Sequence, residues 1–462
     1  MSELEIKDDA RLEQLLDLGE RVVRRARDRG ADVAEASVRD GSHLTVNVRM
    51  RKPELVEEAG SRSLGLRVML GQQVGISHTS DLSEHGMGSL VDDAIELARL
   101  AQPDPFVGPP EAELLSAADD HPDLDLHDPE MGALGAGDAL RRAEEAEAAA
   151  FDHDKRITNS EGASMTRAEG ASALVTSGGF RGVTKGTYAS LVVRPLADDD
   201  SGKKRRDHHW TARRHLARLE PGRDVGEEAA RRTLRKLGAR KIDTQEVAVV
   251  FDPDAGRSIL GLLAACVNGA AIWKRSSYLV GREGTRVATE LVTVSDDPLI
   301  PGAPGSRPYD GEGLASRRTV VVDKGVLQTY LLDCYAARKL ERSSTASAAR
   351  GASGSVAPTT TNFVLQPGNM TREALLHDTP RALYVTEMMG FGFNPVTGDF
   401  SRGASGFWLE GGELLFPVSE VTISLNLDDL LSRIDAVADD LDLRTATATP
   451  TFRVSSMTVA GR

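Results

Sequence analysis

Cysteine is almost missing from this chain: Cys266 and Cys334 are the only two in 462 residues. Two cysteines so far apart make no disulfide framework, and the setting expected is a reducing cytoplasm. An excess of basic charge is missing too. Lys and Arg number 56 against 70 Asp and Glu, a formal net charge of −14. That balance argues against direct nucleic-acid binding and against an anionic membrane surface. No apolar run is long enough to cross a bilayer. The Leu260–Ile272 run is too short, and Lys274-Arg275 closes it. The stretch "MSELEIKDDARLEQLL" is acidic and has no apolar core of a secretory signal.

Catalytic constellations are also missing. A zinc peptidase needs two His one helical turn apart, with a carboxylate beside the first. There are ten His, no two of them spaced i, i+4, and none lies between His215 and His377. His208, His209 and His215 sit in a basic stretch without an acidic partner at useful spacing. "GVTKGT" (Gly182–Thr187) has the wrong spacing for a phosphate loop. "GASGF" around Ser405 follows no buried strand leading into a helix, so it is not read as a nucleophile elbow. Asp296, Asp297, Asp310 and Glu312 lie among prolines at spacings that do not fit a calcium loop. They read as a structured turn region.

What is present is a two-part globular pattern. Leu12, Leu15, Leu16, Val22, Val23 and Ala26 follow helical spacing, and Gly30 suits the cap. "HLTVNVRM" and "SLGLRVML" alternate as strands; helical stretches follow around Leu90–Ala101, Asp138–Ala150 and Val225–Leu237. From Gln245 the texture turns β-rich, with a hairpin expected at Asp323-Lys324-Gly325. The expected fold class is α+β in two domains: an N-terminal α+β domain over 1–230 and a β-rich C-terminal domain over 231–462 that holds a buried helix. That helix starts at Asp252-Pro253 and runs through some twenty apolar or small positions. Leu262, Leu263, Cys266 and Val267 are expected to be mostly buried. The acidic-to-basic stretch Asp198–Arg218 reads as a solvated charged loop or, functionally, as a surface for an acidic peptide or a subunit partner. The small-residue stretch Ser343–Thr361 reads as a flexible connection or a functional loop.

Several blocks together resemble the TldD/PmbA family, once called modulators of DNA gyrase, on its PmbA (TldE) branch. They are "DPFVGPP", "DLDLHDPE", "TSGGFRG", the Ser306–Leu340 block, the Phe391–Leu431 block and the terminal "MTVAG". Ala346-Ser347, Gly411 and Ser424-Leu425 depart from the family's usual residues. The resemblance implies a partner. TldD-type chains carry His-Glu-x-x-x-His on the helix that opens the C-terminal domain, completed by a later Cys, and the TldD–TldE pair is a zinc metallopeptidase that cuts unfolded peptides. A microcin precursor and an antitoxin are its substrate classes. In this chain the metal-binding positions are taken by residues such as Leu262, Leu263, Ala265 and Val267, which cannot ligate zinc.

The function this implies is a non-catalytic subunit of a two-chain zinc metallopeptidase. No catalytic or metal residue and no cofactor is expected in this chain, with zinc in a TldD-like partner and unfolded peptide as substrate. A peptide could be held by strand addition along "NPVTGDFSRGASGFW". The candidate channel residues are Gly398, Asp399, Phe400, Ser401, Gly403, Gly406, Phe407 and Trp408, with turns and core as the plainer alternative. Two other readings stand beside this one: a regulatory protein acting on gyrase or a toxin–antitoxin pair without proteolysis, and a stand-alone hydrolase, against which the absent ligand set weighs.

Overall fold

The computed structural model describes residues 3–117, 120–200 and 202–462. The first half contains α1 (Glu3–Asp28), β1 (Val33–Arg49), β2 (Lys52–Leu70), β3 (Gln73–Thr79), α2 (Glu84–Leu100), α3 (Pro129–Gly132), α4 (Ala136–His153), β4 (Ile157–Thr176), β5 (Arg181–Asp198), β6 (Lys204–Arg206), β7 (His209–Arg213) and α5 (Gly222–Arg235). The strands make one antiparallel sheet in the order β3-β2-β1-β4-β5, with β6 and β7 both against β5. Toward both ends of β1 the even positions bury on one face. Ala34, Ala36 and Val38 pack under α1 and α2, while Leu44, Val46 and Val48 pack under α4 and α5. One sheet thus carries two helical patches on one side, and its other side turns to the second half of the chain. α5 packs on the first sheet through Leu234, and Leu237 just past its end packs there too.

The second half opens with β8 (Gln245–Phe251), α6 (Pro253–Cys266) and α7 (Gly269–Trp273). A small layer follows: β9 (Val294–Asp296), β10 (Thr319–Asp323), β11 (Val326–Leu327), α8 (Cys334–Lys339), β12 (Ala348–Arg350), β13 (Val356–Pro358) and β14 (Phe363–Leu365). Then come α9 (Arg372–His377), β15 (Arg381–Met389), β16 (Asp399–Glu410), β17 (Glu413–Asn426), α10 (Leu427–Ser432), β18 (Ile434–Val437), β19 (Thr447–Ala448) and β20 (Phe452–Ala460). β10 and β11 form the expected hairpin; Lys324 (φ 44°) and Gly325 (φ 82°) both take the left-handed conformation that two-residue turns need. β17, β16, β15, β8 and β20 pair in that order, and β17 pairs back onto β20 through Thr422–Ser424. These five strands form a ring, closed between β17 and β20 through three residue pairs at one end. Val249, Phe251, Leu383, Val385 and Val454 join the large core on one side of it.

Two sequence expectations need correction. The apolar run after Asp252 is two helices, not one. Asn268 interrupts it: its side chain accepts from Ala270 N at 2.9 Å and donates to Pro358 O at 2.8 Å, capping α7 as a separate element. The stretch 343–361 is no flexible connection; it folds as the β12–β13 hairpin. From that hairpin Arg350 reaches Glu35 in β1, where Arg67 of β2 also binds, and all three side chains are buried. Burial pushes the Glu35 carboxyl up, but the Arg350 and Arg67 guanidiniums outweigh this and hold it at about 2. Much of the charge in the basic stretch 198–218 is paired, mostly with carboxylates outside it. Arg205 pairs with Asp199 and Arg206 with Glu161, Lys203 pairs with Glu420, and His209 pairs with Glu220.

Candidate functional site

α6 leaves the end of β8, and its first turn is fixed locally. Asp252 Oδ1 accepts from Asp254 N at 3.0 Å, and Pro253 needs no partner at the first helical position. The Tyr384 hydroxyl donates to Asp252 Oδ2 at 2.7 Å, tying the cap to β15. The inner face of the helix is core: Ile259, Leu260, Leu263 and Cys266 are buried. Val267, just past its end, is buried too. Leu262 is only half-buried, and Ala265 is exposed. A Cβ placed on Gly261 would have no atom within 4 Å. Past its first two turns the outer face therefore offers hydrocarbon, at Gly261, Leu262 and Ala265, with the Ser258 hydroxyl beside it.

A catalytic zinc needs three nitrogen, sulfur or oxygen ligands. Leu262, Leu263, Ala265 and Val267 provide none, so this helix does not fit the metal. Among the described residues no three His, Cys, Asp or Glu side chains converge to hold an ion. Cys266 is buried, its thiol pushed up to about 11 by that burial, the environment of an inert thiol.

Beside the outer face of α6 stands the connection from β15 to β16. Arg402 links the two, donating to Ser258 Oγ at 3.1 Å and, through Nε and Nη2, to Gly390 O at 2.8 and 2.6 Å. The turn is further ordered by Asn394 N to Asp399 O at 2.8 Å, and by Asn426, which donates to Thr397 O and to Asp399 Oδ1. On this braced loop Phe391 is 97% exposed, with Met389 and Val396 exposed near it in sequence. A phenylalanine held into solvent by an ordered turn is the kind of exposed apolar group that marks an interaction surface.

The candidate channel residues divide. Asp399 and Ser401 are exposed and Gly403 is half-exposed at the loop end of β16. Gly398 is a buried turn residue with φ of 83°. Phe400, Phe407 and Trp408 are buried, Phe407 in the cluster under α9 and the other two in the main core. Gly406 is set by packing: a Cβ there would lie 1.9 Å from Tyr384 O, where the β15–β16 register shifts. β16 is paired on both sides, to β15 and to β17, so a peptide cannot add as a strand beside it. Sequence reading missed Phe391 and Met389. Their signal was available as an aromatic between two glycines in "MMGFGFNP", a poor place to bury a ring.

Residues 244–461 match the family described as the PmbA/TldA metallopeptidase C-terminal domain, residues 131–237 its central domain and residues 34–98 its domain 1. A metalloprotease PmbA homolog of Haemophilus influenzae is 34% identical over 431 residues, covering 93% of this chain and 92% of the relative. Metalloprotease PmbA of Escherichia coli O157:H7 is 33% identical over 435 residues, covering 94% and 93%. The crystal structure of a candidate modulator of DNA gyrase from Bacteroides thetaiotaomicron superposes with a TM-score of 0.89 at 25% identity, covering 96% of this chain and 98% of its own. TldE from Thermococcus kodakarensis superposes at 0.86 with 20% identity, covering 96% and 100%, a likeness of fold alone. Matched by all three domain descriptions and by relatives along nearly its whole length, the chain belongs to the PmbA/TldD metallopeptidase family and is of its PmbA/TldE type.

Proposed function

We propose that this chain is the non-catalytic subunit of a two-chain zinc metallopeptidase, paired in the cytoplasm with a TldD-like chain that carries the zinc, and that the pair cleaves unfolded peptides. One observation carries the reading. The helix that opens the C-terminal domain keeps an open outer face beside a braced loop, yet that face offers Gly261, Leu262 and Ala265 where metal chemistry needs donors. Phe391 fits the same reading as a contact for the partner, and the exposed end of β16, at Asp399, Ser401 and Gly403, as the border of the peptide path.

The test mixes the purified chain with a TldD-like partner and an unfolded peptide, with and without chelator. Cleavage is expected in the mixture alone and is stopped by chelator; the isolated chain is expected to hold no stoichiometric zinc. A partner that cleaves as fast alone as in the mixture overturns the proposal and favours the regulatory role. About one tightly held zinc per isolated chain overturns the non-catalytic assignment.

A further inference from the structure

Away from α6, the face of the first sheet that carries no helices meets the second half of the chain across a cleft of about 400 Å³. Its floor has almost no side chains. Ser61 of β2 pairs with Gly41 of β1, Gly41 with Gly170 of β4, and Gly170 with Gly186 of β5, so one row crosses four strands. None of these three glycines has a positive φ; a Cβ on Gly41 would crowd Glu169 O at 3.0 Å and one on Gly186 would crowd Leu126 O at 3.3 Å, so of the three Gly170 is the one that packing does not demand. A Cβ on Gly170 would find its nearest neighbour at 3.8 Å. The space above it is open.

Cations surround this floor. Arg39 comes from the sheet, Arg214 from beyond β7, and Arg307 from the facing loop. Arg39 donates to Arg350 O, Arg214 to Ala303 O and Pro304 O at 3.1 and 2.8 Å, and Arg307 to Ala348 O at 2.6 Å. These contacts fix the guanidiniums on carbonyls; among the described residues none of the three has a carboxylate at ion-pair distance, and Arg307 alone feels the buried Asp310 and Asp296 from farther off. The buried Nε of Arg307 has no hydrogen-bond partner at all. The lining's one carboxylate, Asp40, is already engaged by Arg11 at 3.3 Å and Arg62 at 3.5 Å. A chain with net charge −14 thus concentrates positive charge at one concave site, which focuses the field on an anion. Guanidinium is also the side-chain group best matched to carboxylate.

We propose that this cleft binds the carboxylates of an acidic peptide segment lying across the strands. Three strand spacings give the floor a length of roughly 14 Å, which an extended segment of about four residues spans. Peptide as the carrier of those carboxylates rests on the function proposed above; the anion site rests on the cleft itself.

The experiment measures fluorescence anisotropy of labelled tetraglutamate with the purified full-length chain alone, against tetraglutamine. Tetraglutamate is expected to bind at least tenfold more tightly, and less tightly as salt is raised. Gly170→Val, which fills the floor with a strand-favouring side chain, and Arg39→Gln are each expected to weaken binding at least tenfold with circular dichroism and melting temperature preserved. Equal binding of the two peptides, or undiminished binding by both folded variants, overturns the proposal. The two proposals fail separately: binding without cleavage in the partner mixture removes the subunit role and leaves the cleft, and cleavage without binding removes the cleft alone.

Discussion

Arg350 Nη2 lies 2.6 Å from Glu35 Oε2, and the two residues are 315 positions apart in the chain. Arg67 Nη1 reaches the same oxygen at 3.1 Å. One buried carboxylate therefore joins the first sheet to the β12–β13 hairpin of the second half. Glu35→Gln leaves two buried guanidiniums without their counter-charge, and the expected cost is about 3–5 kcal/mol in denaturant melts. The pH dependence follows from the lowered carboxyl. Its contribution is present above the unfolded value of 4.5 and is lost as pH falls toward about 2. Wild type and variant should converge in stability over that window; a constant gap would show that Glu35 acts through packing and not charge.

Glu312 gives the opposite slope. Burial and the neighbouring Asp310 push its carboxyl up to about 7. Below 4.5 it is protonated whether folded or not, and between 4.5 and about 7 the unfolded chain ionises first, so stability falls as pH rises. Glu312→Gln keeps an acceptor for Cys334 N, which donates to the carboxylate at 2.8 Å. The variant is expected to be more stable than wild type at pH 8, by on the order of 1–3 kcal/mol, with the difference gone at pH 4. Equal melting at both pH values counts against it.

On α6 the two adjacent leucines should behave differently. Leu263 is fully buried, and Leu263→Ala is expected to cost about 2–5 kcal/mol. Leu262 is half-buried on the outer face, and Leu262→Ala should cost roughly 1 kcal/mol or less. Equal losses in urea melts would mean that the outer face is packed.

Phe391→Ser should leave stability within about 0.5 kcal/mol of wild type, since the ring contributes almost nothing to the core. The same change is expected to weaken the complex with a TldD-like partner at least tenfold by size exclusion or calorimetry, because exposed aromatics at interfaces act as anchors. An unchanged complex would move the interface elsewhere.

Much of the fold was legible because local patterns and tertiary burial agree. The periodicity of Leu12–Ala26 and of Val225–Leu237 is that of α1 and α5, each with one face on the sheet. β1 was only half visible. Its middle, Asp40–His43, has no buried alternation, and it is held in the strand by partners in β2 and β4. The break at Asn268 was hidden because the carbonyl that takes its amide belongs to Pro358, 90 positions away. At the site, the lack of ligands on α6 could be read directly from residue types. Phe400, Phe407 and Trp408 could not be placed, because an aromatic on a strand suits a channel wall or a core equally well until its neighbours are known, and the pairing of β16 with β15 and β17 decides in favour of core.

The closed ring has a consequence for how the protein is made. β8 pairs with β15 and with β20, so Phe251 waits for Phe452. A ribosome delivers "EVAVVF" long before its second neighbour exists, and contacts so distant along the chain form slowly. Through that interval an apolar strand edge stands unpaired during synthesis. The segment Gln245–Phe251 is therefore where a nascent chain would call on a chaperone, and where overexpression outpacing completion of β20 would begin to aggregate.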